Sequence, residues 1–92
     1  MERYSAAEGD RVRIRWDGGE CVDDDFALTV CRESDASTVD GVLTTAAHAD
    51  TLHRLFRDGT TFTIVLESAS GERTRFERCT LLSSSGKWVA PG

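Results

Sequence analysis

Residues 11 to 16 read RVRIRW, a strict alternation that puts Val12, Ile14 and Trp16 on one face and Arg11, Arg13 and Arg15 on the other. A period of two is the signature of a strand with one buried face, because successive side chains leave a pleated backbone in opposite directions. No helix could segregate this stretch, so it commits the chain to a sheet with an apolar side and a side that tolerates a row of cations. The same period recurs from Phe26 to Arg32, where Phe26, Leu28 and Val30 oppose Ala27, Thr29 and Cys31. It recurs again in TTFTIVLE (60–67), with Phe62, Ile64 and Leu66 on one side.

Turn chemistry separates these runs. Asp17-Gly18-Gly19 reads as a turn, Ser68-Ala69-Ser70-Gly71 as a hairpin loop returning into ERTRFERCTLL (72–82), and SSSG (83–86) as a loop before a short end strand around Lys87-Trp88-Val89. TVDGVLTT (38–45) is β-branched and reads as a further strand, with Gly41 as a bulge marker. The one helical signal is HADTLHRLFRDG: Asp50 as N-cap, Leu52, Leu55 and Phe56 at i, i+3 and i+4, and Gly59 closing the last turn. The expected architecture is mainly β, a small sandwich or barrel of five to six antiparallel strands with one short flanking helix over about residues 50–58.

The 92 residues form a single domain, 1–92. A domain of this size buries only roughly 60% of its unfolded surface, and oligomerisation is a common remedy for thin stability. Sixteen acidic against eleven basic residues leave a net charge of −5, which opposes binding by phosphate neutralisation. The N-terminus has no apolar h-region and the longest apolar run, Ile64-Val65-Leu66, is far short of a membrane span. The expectation is synthesis and folding in a cytoplasm, where Cys21, Cys31 and Cys79 begin as thiols. Three is odd, so internal pairing would leave one over.

Between two of these cysteines lies ECVDDDFALTVC (20–31). Asp23, Asp24 and Asp25 are adjacent, so on a strand they alternate sides and cannot chelate one ion, and the D-x-D-x-D-G calcium spacing is absent. His48 and His53 are five apart, roughly 140° around a helix. Cys21 and Cys31 lack C-x-x-C spacing. Neither a metal nor a cofactor is expected. Serine, histidine and aspartate occur without a nucleophile elbow, so the chain does not read as an enzyme. Arg11, Arg13 and Arg15 could meet phosphates with Trp16 stacking a base; with this net charge, pairing with acids on a neighbouring strand or subunit is favoured. A disulfide involving Cys21, Cys31 or Cys79 stays open, and Cys31, on the face opposite the apolar set, is a candidate contact between subunits.

The order of elements resembles the tail tube proteins of tailed bacteriophages and contractile injection systems. The resemblance covers roughly residues 26 to 82. A strand ending in CRESDASTVDGVLTT leads to the helix ADTLHRLFRDG and then to the hairpin TTFTIVLESASGERTRFERCTLL. The family's pattern of a glycine, an F-T-hydrophobic strand and an aromatic on the returning strand falls on Gly59, Phe62, Thr63, Ile64 and Phe76. The resemblance implies a β-sandwich subunit of a virion, assembled in a host cytoplasm into stacked homohexameric rings. It also implies other phage tail or head proteins as partners, and a conduit through which DNA passes without specific binding. The lumen or subunit-interface candidates are then Arg11, Arg13, Arg15, Asp23, Asp24, Asp25 and Cys31, with the aspartates facing a channel or a neighbour's arginines. Two alternatives stand beside it: a capsid decoration protein with intersubunit cysteine contacts, and a small nucleic-acid-binding β-barrel using the arginines and Trp16.

Overall fold

The alternating runs become strands in the computed structural model, which describes residues 1–32 and 37–91. In chain order these are β1 (Glu2–Ser5), a 3-10 turn (Ala6–Glu8), β2 (Arg11–Trp16), β3 (Gly19–Asp23), β4 (Phe26–Arg32), β5 (Thr38–Thr45), α1 (Ala49–Asp58), β6 (Phe62–Glu67), β7 (Arg73–Leu81) and β8 (Lys87–Pro91). The strands form one antiparallel sheet in the order β1-β4-β5-β8-β7-β6-β2-β3, curled into a half-barrel. Mainly β with one helix among the described residues is as expected; the eight strands there exceed the expected five to six. The extra strands are the two sheet edges. β1 (ERYS) and β3 (GECVD) carry no apolar alternation, since the inward positions of β3 are Cys21 and Asp23, so a hydrophobic period could not reveal them. Residues 33–36 of the stretch carrying the family resemblance lie outside the described residues.

Every alternating run turns its apolar set inward. Val12 and Ile14 of β2, Phe26, Leu28 and Val30 of β4, and Phe62, Ile64 and Leu66 of β6 are all buried, packed around a fully buried Trp88. Tyr4, Trp16 and Cys21 border this core, half-buried. Leu52 and Leu55 of α1 close one end of it. The helix begins one residue before Asp50: His48 occupies the N-cap position and Asp50 lies in the first turn. Gly59 ends it in the left-handed conformation, with its N–H on the Phe56 carbonyl and Thr60 N–H on that of Leu55.

Gly41 does not mark a bulge. β5 pairs with β4 without interruption from Val39 to Thr45, and Gly41 lies opposite both Val30 and Trp88. A Cβ there would overlap the Thr29 carbonyl oxygen and reach 3.2 Å from Trp88 Cζ2, so the glycine permits close strand approach beneath the indole. The bulge lies in β7. Phe62 is paired with Cys79 and Ile64 with Phe76, so Glu77 and Arg78 together face Thr63. Arg78 is left-handed at φ 57, the only non-glycine with positive φ among the described residues. β7 pairs with β6 as far as Cys79, just past the bulge; beyond it, Thr80 and Leu81 pair with Val89 and Trp88 of β8. β7 thus turns the corner that joins the two four-stranded halves of the sheet.

Candidate functional site

The outward face of β3-β2-β6-β7 is a cross-strand charge ladder. Arg13 lies 3.2 Å from Glu20 and 3.5 Å from Glu67, Arg15 lies 3.1 Å from Glu20, and Arg73 lies 3.9 Å from Glu67. These pairs are partly exposed and stabilise by well under about 1 kcal/mol each. Arg13 and Arg15 therefore meet acids of their own chain, and neither requires a neighbour's carboxylate. Arg11 is exposed, with no carboxylate within ion-pair distance among the described residues.

The three aspartates of the acidic stretch divide. Asp24 and Asp25 are exposed, as a surface loop requires. Asp23 is not: only 6% exposed, it points inward and accepts hydrogen bonds from Asp25 N–H (2.8 Å) and Ala47 N–H (3.1 Å). Burial pushes its carboxyl up, but those N–H groups and the nearby His48 outweigh it and hold the carboxyl below its usual range. The expectation that Asp23 faces a channel or a neighbour's arginines gives way to a structural role, tying the end of β3 to the segment entering α1. His48 adds to this tie through Nε2, 3.1 Å from the Val22 carbonyl. Asp10 does the same at the other end, where its carboxylate accepts from Ser5 N–H and from Ala69 N–H.

All three cysteines are free thiols. Cys79 is buried, donates to the Phe76 carbonyl at 3.2 Å, and is pushed by burial up to about 12. Cys21 lies on the inward side of β3, raised by burial and by Asp23 and Glu20. Cys31 lies half-buried on the outer face of β4, opposite Asp40. The outward reading of Cys31 holds.

The feature that the sequence did not reveal is a cleft of about 320 Å³ between the β2–β3 turn and the bulge of β7. Arg15, Asp17, Thr61, Thr63 and Arg78 supply its polar lining, and Trp16 and Phe62 its aromatic lining. Gly18 and Gly19 carry the Trp16 indole: a Cβ at Gly18 would stand 3.2 Å from Nε1 and one at Gly19 3.3 Å from Cζ2. The ring thus lies close over the turn, in space that only glycines leave free. Arg78 is exposed and, among the described residues, has no carboxylate within ion-pair distance. The sequence did hold one trace of it: buried positions on β7 fall at 76, 79 and 81, a step of three and then two that breaks strand parity where the bulge lies.

No protein-family model, curated protein or solved structure matches the chain at a significant level. No group of three or more potential metal ligands is assembled among the described residues, and no helix among them is long and apolar enough to cross a membrane.

Proposed function

We propose that the chain is a structural subunit of the tail-tube kind, which closes into stacked homohexameric rings and forms part of a virion conduit for DNA. The observation that carries this reading is the open sheet. β1 and β3 terminate it, each paired with one neighbouring strand only among the described residues; on β3 the Val22 carbonyl is already taken by His48, which leaves its N–H to a further strand. An uncompleted edge is a template for another strand, and ring closure is one way to remove it. Half-buried Tyr4 and Cys21, on the inward sides of β1 and β3, would become covered as β1 of one copy meets β3 of the next. The intrachain pairing of Arg13 and Arg15 supports passage of DNA without binding, since Glu20 and Glu67 offset part of their charge and occupy their donors.

Light scattering and negative-stain microscopy of the purified chain test this directly, with rings or tubes expected. Val22→Pro is the matching perturbation. The Val22 carbonyl accepts from His48, so this residue's backbone points away from β2, and proline there removes an edge donor without breaking the β2–β3 ladder. It should abolish rings and leave the unfolding midpoint of the subunit nearly unchanged. A monodisperse monomer that retards single-stranded DNA in a gel would favour the nucleic-acid-binding barrel instead.

A further inference from the structure

We propose that the cleft between the β2–β3 turn and the β7 bulge is a binding site for a nucleoside monophosphate, a ligand that joins an anionic group to a planar, amino-bearing ring.

Three features converge there. The first is Arg78. A left-handed conformation in a side chain other than Gly, Asn or Asp is uncommon and costs about 1–2 kcal/mol. Glycine would satisfy the bulge at no such cost, yet the position carries a long cation directed into a cleft and free of acidic partners among the described residues. Strain held at a residue that does not serve the core is a pointer to binding. A guanidinium with its donor fork unoccupied suits a phosphate, which it can grip through two parallel bonds.

The second feature is Trp16. Its ring lies against Gly18-Gly19 and is partly exposed, so a planar group can stack on it. The third is the polar lining. Thr61 and Thr63 line the same cleft as Arg78 with hydroxyls able to donate, and Asp17 at the turn offers a carboxylate that can accept from an exocyclic amine. Arg15, which shares Glu20 with Arg13, shapes one wall. A cleft of about 320 Å³ is at the small end of ligand sites and matches a mononucleotide better than a larger cofactor.

The molecule carries its own reporter. Of its two tryptophans, Trp88 is fully buried and Trp16 lines the cleft, so quenching by an added ligand reads Trp16. Titration with AMP and with CMP should quench the emission saturably, while adenosine and inorganic phosphate, each offering half of the recognition, should bind at least about tenfold more weakly. Arg78→Gly is the decisive variant because glycine accepts φ 57 without strain. It should unfold at the same or a higher midpoint than the parent chain and yet bind AMP about tenfold or more weakly, a loss the folded state does not explain. No saturable quenching by either nucleotide at millimolar concentration overturns the proposal. So does Arg78→Gly binding AMP as the parent does, or inorganic phosphate matching AMP. Ring formation is scored separately, so failure here leaves the assembly reading standing and the reverse holds equally.

Discussion

Gly41→Ala separates two physical accounts of one residue by the sign of its effect. If Gly41 relieved a bulge with space around it, alanine would be neutral or stabilising by about 0.4–1 kcal/mol, since it restricts the unfolded chain. The structure requires the opposite. The new Cβ would overlap the Thr29 carbonyl oxygen and press on Trp88 Cζ2 at 3.2 Å. Neither can give way cheaply: Thr29 lies within the β4–β5 ladder, and Trp88 is 0% exposed and enclosed by the core. Overpacking costs about 1–3 kcal/mol where side chains can adjust. Here the obstacle is backbone, which points to the upper end, about 3 kcal/mol.

At about 4–8 °C per kcal/mol for a domain of this size, that destabilisation lowers Tm by roughly 12–24 °C. Urea unfolding followed by far-ultraviolet circular dichroism should show a lower midpoint with an unchanged slope. Gly71→Ala provides the control. A Cβ at Gly71 meets nothing within 4 Å, but its φ is +90, so alanine there pays for conformation alone, about 1–2 kcal/mol. A Gly41→Ala midpoint at or above that of the parent would refute the close strand approach at Gly41, and with it the placement of Trp88 against that strand.

Three further outcomes follow from the buried groups. Asp23 has a lowered folded-state pKa, so its stabilisation is present above the ordinary aspartate value of about 3.9 and is lost as pH falls through the folded value. Asp23→Asn should cost about 2 kcal/mol at neutral pH and flatten the acid side of the stability profile, measured by urea unfolding from pH 7 down to pH 3. Thiol titration at pH 8 should label Cys31 first and Cys21 more slowly, because the Cys21 thiolate is disfavoured by burial and neighbouring acids, while Cys79 should react only on unfolding. Trp88→Phe should cost less than the roughly 3–5 kcal/mol of a large-to-alanine truncation, since it also removes an indole N–H that is buried and has no acceptor among the described residues, and thermal unfolding reads the difference.

The central strands were legible because burial imposed period two on β2, β4 and β6, and Gly59 marked the helix end through its need for positive φ. The edges were not. An edge strand packs little, so β1 needs no apolar face, and β3 spends one inward position on Asp23, whose burial is tolerated only because Asp25 and Ala47 donate to it. Those donors are non-local or depend on loop shape, and adjacency in DDD says nothing of them. The arginine row was legible as a solvated face with acidic partners, but not which acids: Glu20 follows through a hairpin and Glu67 through a pairing more than fifty residues away in the chain.

The cleft is not legible in the sequence for a deeper reason: its key position is made by the sheet's own geometry. A regular β7 would alternate Phe76 inward, Glu77 outward and Arg78 inward, burying a guanidinium beside Phe62. The extra residue instead returns Cys79 to the core, where it is fully buried, and leaves Arg78 at the surface. The same insertion frees the end of β7 to leave β6 and pair with β8, without which the two halves of the sheet would not be joined. Curvature and site are thus consequences of one backbone event. This is why Arg78→Gly, which keeps the bulge and removes only the cation, can divide them: the half-barrel needs a residue that tolerates φ 57, and the fold gives no reason for that residue to be an arginine.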